Sequence, residues 1–287
     1  MKRLLFTLAI VAFSMSQTLA QNLSKQSPKK DNMNTIERAK QTYEKLFQQV
    51  QSVTNSDDPE LMTILQRFIF GEVFYTGNLS DTTRELITIT ALAVNQTLPQ
   101  LKAHTAAALN IGVNPVEIRE VIYQLAPFIG YPKVLNALDT INSVFKSRRI
   151  PLPLQTEGTV TEEQRFEKGK ELQAPLYGEG MKQVMKDLPG EFAEAIPRML
   201  TETCFGDYYT RSGLALKTRE LMIFCALATL GGTERQMASH AVGNMKVGND
   251  KETLLSALVQ LYPYIGFPRT ANAIYAIKDA KIEKDVK

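Results

Sequence analysis

The chain states one pattern twice, and that duplication limits the folds open to it. The stretch from His104 to Leu138, HTAAALNIGVNPVEIREVIYQLAPFIGYPKVLNAL, returns without a gap as His240 to Ile274, HAVGNMKVGNDKETLLSALVQLYPYIGFPRTANAI. Gly112 answers Gly248, Pro127 answers Pro263, Gly130-Tyr131-Pro132 answers Gly266-Phe267-Pro268, and Asn136 answers Asn272. Upstream, Thr83-Arg84-Glu85-Leu86 answers Thr218-Arg219-Glu220-Leu221. The offset is 135 residues at the glutamates and 136 at the histidines, so one residue has been inserted between them. A period this long marks a duplicated domain rather than a solenoid. His104 and His240 are the only histidines, each downstream of the same Arg-Glu pair, and this is where chemistry is to be sought.

Both copies carry helical periodicity. Thr35 to Val53 places Ile36, Ala39, Tyr43, Leu46, Phe47 and Val50 at spacings of three and four, which predicts an amphipathic helix. Asp57-Asp58-Pro59 predicts a cap with proline in the first turn. Thr82 with Glu85 predicts a capping box for a helix running to Val94. Leu98-Pro99 starts the helix that carries His104. Asn114-Pro115-Val116-Glu117 starts the next, and Asp250 keeps that cap in the second copy. Nothing alternates apolar and polar over enough residues for a sheet, so the fold class is all-α. Glu85 and His104 can meet only if the turn at Asn95-Gln96-Thr97 folds their helices into an antiparallel pair. Leu230-Gly231-Gly232-Thr233 offers the second copy the same turn with one residue more.

The prolines of Arg149-Ile150-Pro151-Leu152-Pro153-Leu154 exclude a helix and make a stiff connector. The expected domains are 35–148 and 161–280, with 149–160 as linker and a frayed, mixed-charge tail at 281–287. Each is long enough to bury a core, and 44% apolar residues suit globular domains.

At the N-terminus, Met1-Lys2-Arg3, an apolar run from Leu4 to Phe13, and Thr18-Leu19-Ala20 before Gln21 make the pattern of a secretory signal. The run is shorter than the roughly 20 apolar residues a membrane span needs. Cleavage near Ala20 leaves a periplasmic or secreted chain, with a polar, Lys-rich leader at 21–34 and no membrane attachment. Lys2 and Arg3 account for two of the net charge of +3, so what remains is near neutral. That argues against nucleic-acid or polybasic membrane partners.

The run from Thr83 to Leu138, and again from Thr218 to Ile274, resembles the carboxymuconolactone decarboxylase family, which shares its helical fold with the alkyl hydroperoxidase D proteins. The pattern is carried by the Arg-Glu helix start, the histidine, Ala108-Leu109-Asn110-Ile111-Gly112 and Phe128-Ile129-Gly130-Tyr131-Pro132, most of it twice. The peroxidase branch of the family uses a Cys-x-x-Cys pair ahead of the histidine. Those places hold Thr97 and Gln100 in the first copy and Thr233 and Gln236 in the second. Neither a hydroxyl nor an amide supplies the thiolate that disulfide exchange needs, so the resemblance does not extend to peroxidase chemistry there. Cys204 and Cys225 form no redox motif; an oxidising compartment permits a disulfide between them.

The resemblance to the decarboxylase branch implies a small anionic substrate, a carboxylated lactone or keto acid, and chemistry without thiol, metal or organic cofactor. It implies His104 and His240 as general acid/base, a role suited to a pKa near working pH. Glu85 and Glu220 would orient the imidazole or relay its proton, and Arg84 and Arg219 would clamp a carboxylate. Gln100 and Gln236, one turn before each histidine, either hydrogen-bond substrate or cap the preceding turn. The second copy is favoured as the more active because it keeps the Gly-rich turn and the Tyr264-Ile265-Gly266-Phe267-Pro268 run. A fused pair resembling small ring-forming domains is expected to assemble as a trimer. The competing expectation is a non-catalytic helical scaffold or binding protein, which predicts a filled core where the catalytic reading predicts a pocket.

Overall fold

In the computed structural model, which describes residues 33–50, 56–278, 280 and 281, every residue from Arg84 to Val94 and every residue from Arg219 to Thr229 is buried. Helices buried on all sides belong at the centre of a fold, and the remaining helices surround these two. The first copy comprises α1 (Thr35–Phe47), α2 (Pro59–Gln66) continued by a π segment (Arg67–Glu72) and a 3-10 turn (Val73–Tyr75), then α3 (Asp81–Asn95), α4 (Leu98–Asn110), α5 (Pro115–Tyr123), α6 (Ala126–Ile129) and α7 (Tyr131–Ser147). The second comprises a 3-10 turn (Glu162–Gln164), α8 (Arg165–Tyr177), α9 (Gly180–Met185), α10 (Phe192–Leu200) continued by a π segment (Thr201–Tyr209), then α11 (Leu216–Leu230), α12 (Glu234–Lys246), α13 (Lys251–Ile265) and α14 (Phe267–Ile277). No strand occurs among the described residues, and the fold is all-α in two tandem copies. The segment read as a signal peptide, the leader to residue 32 and the tail beyond Lys281 lie outside the described residues.

The local signals explain most of these boundaries. Helices α3 and α11 are both 15 residues long, and α4 and α12 both 13, so the inserted residue falls in the turn between them. Gln96 takes that turn with φ 59°, and Gly231 with φ 69°. Asn114 and Glu117 form the reciprocal capping box of α5, and Asp250 accepts the Thr253 amide at 2.8 Å. Two expectations are corrected. The cap of α3 is Ser80, which accepts the Thr83 amide at 3.2 Å; Glu85 turns inward and serves no cap. Helix α1 stops at Phe47, because Gln48 adopts the left-handed region at φ 53°.

Helix α3 packs on α4, α5 and α7 of its own copy and on α11 and α13 of the other. One hydrophobic core therefore runs through both copies, from Leu86, Ile89 and Ile122 to Phe224, Leu258 and Ala273. The polar stitching is reciprocal. Arg84 donates to the Val73 carbonyl at 3.1 Å, the Thr76 carbonyl at 2.8 Å and Gln260 Oε1 at 3.1 Å. Arg219 donates to the Arg211 carbonyl at 2.9 Å, Glu120 Oε2 at 3.2 Å and Gln124 Oε1 at 3.4 Å. Gln124 and Gln260 are equivalent positions, so each copy's arginine reaches the other copy's glutamine.

This corrects the carboxylate-clamp reading of Arg84 and Arg219. Both are fully buried, and their Nη donors are spent on protein oxygens at the seam between copies. Removing a buried donor strands its acceptors, which costs about 1–3 kcal/mol for each polar group left unpaired. Arg84→Ala is expected to lower unfolding stability by about 2–4 kcal/mol, and the exposed Gln100→Ala to stay within about 0.5 kcal/mol. Urea denaturation of the two variants checks this; an Arg84→Ala protein as stable as the parent contradicts the seam role.

Candidate active sites

Each buried helix presents its glutamate to the histidine of the helix folded back on it. Glu85 is fully buried, and its Oε2 lies 2.9 Å from His104 Nδ1. Glu220 is fully buried as well, with Oε2 at 3.4 Å from His240 Nδ1. The antiparallel pairs thus bring together Glu85 with His104 and Glu220 with His240. A carboxylate only accepts, so Nδ1 of His104 carries the proton and Nε2 is left as the free acceptor.

The second site has a tyrosine within the pair. Tyr177 hydroxyl lies 2.6 Å from Glu220 Oε2 and 2.7 Å from His240 Nδ1, and Tyr209 donates to Glu220 Oε1 at 2.6 Å. Burial, followed by the nearby Glu220 charge, pushes both phenols well above their ordinary range. Both therefore stay protonated and donate to Glu220, which leaves His240 Nδ1–H as the donor to Tyr177. The relay runs imidazole, phenol, carboxylate, with both Glu220 oxygens satisfied. In the first site Phe47 and Phe74 stand where Tyr177 and Tyr209 do, and Glu85 Oε1 has no hydrogen-bond partner.

The chain positions these rings by local means. Phe47 and Tyr177 are the last residues of α1 and α8. The carbonyls there are held by equivalent positions of α4 and α12: Asn110 Nδ2 donates to the Leu46 carbonyl at 2.8 Å, and Lys246 Nζ to the Leu176 carbonyl at 2.8 Å. A side chain on Gly243 would collide with the Tyr177 hydroxyl. Its counterpart in the first copy is Ala107, beneath a phenylalanine that has no hydroxyl to place. The π segments lie at matching places in both copies and, with the 3-10 turn after the first, bring Phe70, Phe74, Phe205 and Tyr209 inward; such segments concentrate at functional sites.

Each histidine also meets a ring from the other copy. Tyr264, at the end of α13, lies edge-on to His104 with centroids 5.9 Å apart. Phe128, in α6, lies edge-on to His240 at 6.0 Å. This corrects one argument for favouring the second copy, since the Tyr264 run completes the first site. The feature that distinguishes the second site is the Tyr177–Tyr209 pair, which reading the motifs alone missed. The signal was present: aligning the copies pairs Tyr177 and Gly243 against Phe47 and Ala107.

Gln100 and Gln236 are exposed on the turn before each histidine and bond neither histidine nor glutamate. Thr97 and Thr233, at the positions of the family's first cysteine, donate to the Leu92 and Leu227 carbonyls at 3.4 and 2.7 Å. Cys204 and Cys225 are free thiols, both buried, and burial pushes both well above the usual thiol range. No group of metal-ligating residues occurs among the described residues. His104 is 8% exposed, and neither histidine lines the clefts beside Phe166, Tyr131 or Leu152.

A duplicated helical protein with a buried carboxylate–imidazole pair in each copy is thus defined on structural grounds. The carboxymuconolactone decarboxylase family model matches residues 59–142 and 194–279, and the chain belongs to that family. A 4-carboxymuconolactone decarboxylase from Acinetobacter baylyi is 30% identical over 92 residues, covering 32% of this chain and 69% of the relative. An uncharacterised 15.0 kDa protein of Paracoccus denitrificans is 32% identical over 124 residues, 36% of this chain and 92% of its own.

The pairing of Gly243 with the Tyr177 hydroxyl makes a quantitative expectation. Gly243→Ala overpacks the site and should cost about 1–3 kcal/mol. In the Tyr177→Phe background, which recreates the first copy's pair, the same substitution should cost measurably less. A double-mutant cycle by urea denaturation reads the coupling; additive effects would contradict the contact.

Proposed function

We propose that this chain is a cofactor-independent enzyme that moves protons on a small carboxylated lactone or keto acid, with loss of CO2. The observation that supports it best is the pairing of each histidine's Nδ1 with a buried carboxylate or phenol. With Nδ1–H engaged by carboxylate or phenol, Nε2 of His104 or His240 is left to exchange a proton with substrate. In the decarboxylation, the electrons of the breaking C–C bond pass to the substrate carbonyl as CO2 leaves. Nε2, having taken a proton from solvent, gives that proton to the carbon so exposed, and the ring returns to neutral imidazole. Glu85 and Glu220 hold the imidazolium that forms, Glu220 through Tyr177. At the first site, Glu85 Oε1 is enclosed without a hydrogen-bond partner and suits a buried water. The name of the Acinetobacter relative supports the lactone class.

Thiol peroxidase chemistry is disfavoured by Thr97, Gln100, Thr233 and Gln236 standing where cysteines are needed, and by the burial of Cys204 and Cys225. A second reading, a non-catalytic scaffold of the same fold, draws on the tight enclosure of both glutamates and the low exposure of His104. Export through the N-terminal segment belongs to the proposal, as does trimeric assembly. Exposed Tyr131, Leu135, Phe267 and Tyr275 supply apolar surface that association would cover, and light scattering separates a trimer from a monomer.

The deciding experiment screens carboxylated lactones, keto acids and peroxides. General acid–base catalysis contributes about 10²–10⁴-fold, so a His104→Ala, His240→Ala double variant should lose about that factor in kcat/KM on the lactone or keto acid turned over. Each single variant then reports its own site. Turnover that survives the double substitution would overturn the histidine assignment, and no turnover by the parent on any of these substrates would leave the scaffold reading.

A further inference from the structure

A cleft of about 690 Å³ opens between α5, α7 and the proline-bearing connector, and it holds more positive charge than the fold uses. Its polar lining is Arg119, Asn142, Lys146, Thr156 and Arg211. Glu120, fully buried behind it, accepts from Arg119 at 3.1 Å, from Arg211 twice at 2.8 and 2.9 Å, and from Arg219 at 3.2 Å. Burial alone would raise the Glu120 carboxyl, but its bonds to Arg211 and the charges of Arg211 and Arg219 hold it below the usual range. Arg119, Arg211 and Arg219 share the one carboxylate of Glu120, and Lys146 adds a further positive charge to the lining.

Arg119 lines the cleft with its side chain nine-tenths buried, and its bond to a carboxylate runs from Nη2 to Glu120; its Nε is enclosed and unpaired, as are those of Arg84 and Arg219. The Arg119 and Arg211 guanidiniums lie 5.3 and 5.2 Å from the centroid of the Tyr123 ring, which restrains both forks beside the cleft. Leu152 and Leu154 supply an apolar wall.

The second copy shows that the fold does not need these charges. At the positions of Arg119, Glu120, Tyr123 and Arg211, the other copy has Leu255, Ser256, Val259 and Thr76. Its seam closes there with neutral contacts such as Ser256 Oγ to Asn78 at 3.3 Å.

We propose that this cleft binds a small organic anion, a carboxylate carried on a short apolar or aromatic body. Arg119 and Lys146 take the carboxylate, and Leu152 and Leu154 take the body. Neither histidine nor its glutamate lines the cleft, so the inference stands apart from the decarboxylase reading.

The test is a titration of the whole chain with benzoate and with its neutral counterpart benzamide, followed by calorimetry and by amide NMR shifts at Tyr123 and Gly158. Saturable benzoate binding is expected, with benzamide weaker by roughly tenfold or more, since bonds to charged groups carry the preference. Arg119→Leu, which copies the second copy's Leu255, should weaken benzoate by about tenfold or more. Lys146→Ala, at the exposed rim, should weaken it by a few fold, and the double histidine variant should bind as the parent does. Absence of saturable benzoate binding overturns the proposal, as does equal affinity for benzamide or indifference to Arg119→Leu. Should Arg119→Leu not fold, Lys146→Ala together with Asn142→Ala decides: unchanged affinity overturns the proposal.

Discussion

Two carboxylates, Glu85 and Glu220, sit without solvent exposure at the fifth residues of two helices that are themselves buried for eleven consecutive residues. Taking an ion out of water costs several kcal/mol even after relaxation, so the rest of the structure has to answer these groups. It does so in two ways. The first copy gives Glu85 one imidazole and leaves one oxygen unpaired. The second gives Glu220 two phenols and an imidazole, so that both its oxygens are satisfied. The same requirement dictates the antiparallel return of α4 and α12, since nothing closer in sequence brings a histidine within reach.

Duplication then makes the two copies interdependent. Arg84 and Arg219 sit one residue before the glutamates, and their guanidiniums cross to the other copy's Gln260 and Gln124. Tyr264 and Phe128 cross the same seam in the opposite sense, to the histidines. The helix that positions a glutamate is therefore anchored by the other copy, and so is one wall of each histidine. Fusion of the copies into one chain lets the sites diverge independently while keeping that mutual support. The Phe47–Ala107 and Tyr177–Gly243 pairs, and the charged and neutral versions of the seam at Glu120 and Ser256, record the divergence.

Much of this was legible from sequence, and where it failed the reason is physical. Period and spacing carried the helices, the inserted turn residue and the meeting of Glu85 with His104, because these depend on local pattern and on one antiparallel hairpin. The arginines were misread because a guanidinium suits a ligand carboxylate and a backbone carbonyl equally; only burial separates the two. Tyr264 was assigned to the wrong site because the crossing of the copies is a tertiary fact with no local signature. Tyr177 lies 63 residues from His240 and outside the repeated motif. It was recoverable only by noticing that a tyrosine for Phe47 comes with a glycine for Ala107.

The central claim, that each histidine is held through Nδ1–H by a buried acid, is open to one direct measurement because the chain has only two histidines. Nitrogen-15 NMR of the imidazoles, assigned by single His104→Ala and His240→Ala substitutions, reads each tautomer. The account predicts rings protonated at Nδ1, with Nε2 as the free acceptor, and a return toward the ordinary Nε2–H form at His104 in Glu85→Ala and at His240 in a Tyr177→Phe, Glu220→Ala double variant. Rings that are protonated at Nε2 in the parent, and unchanged in either variant, would contradict it.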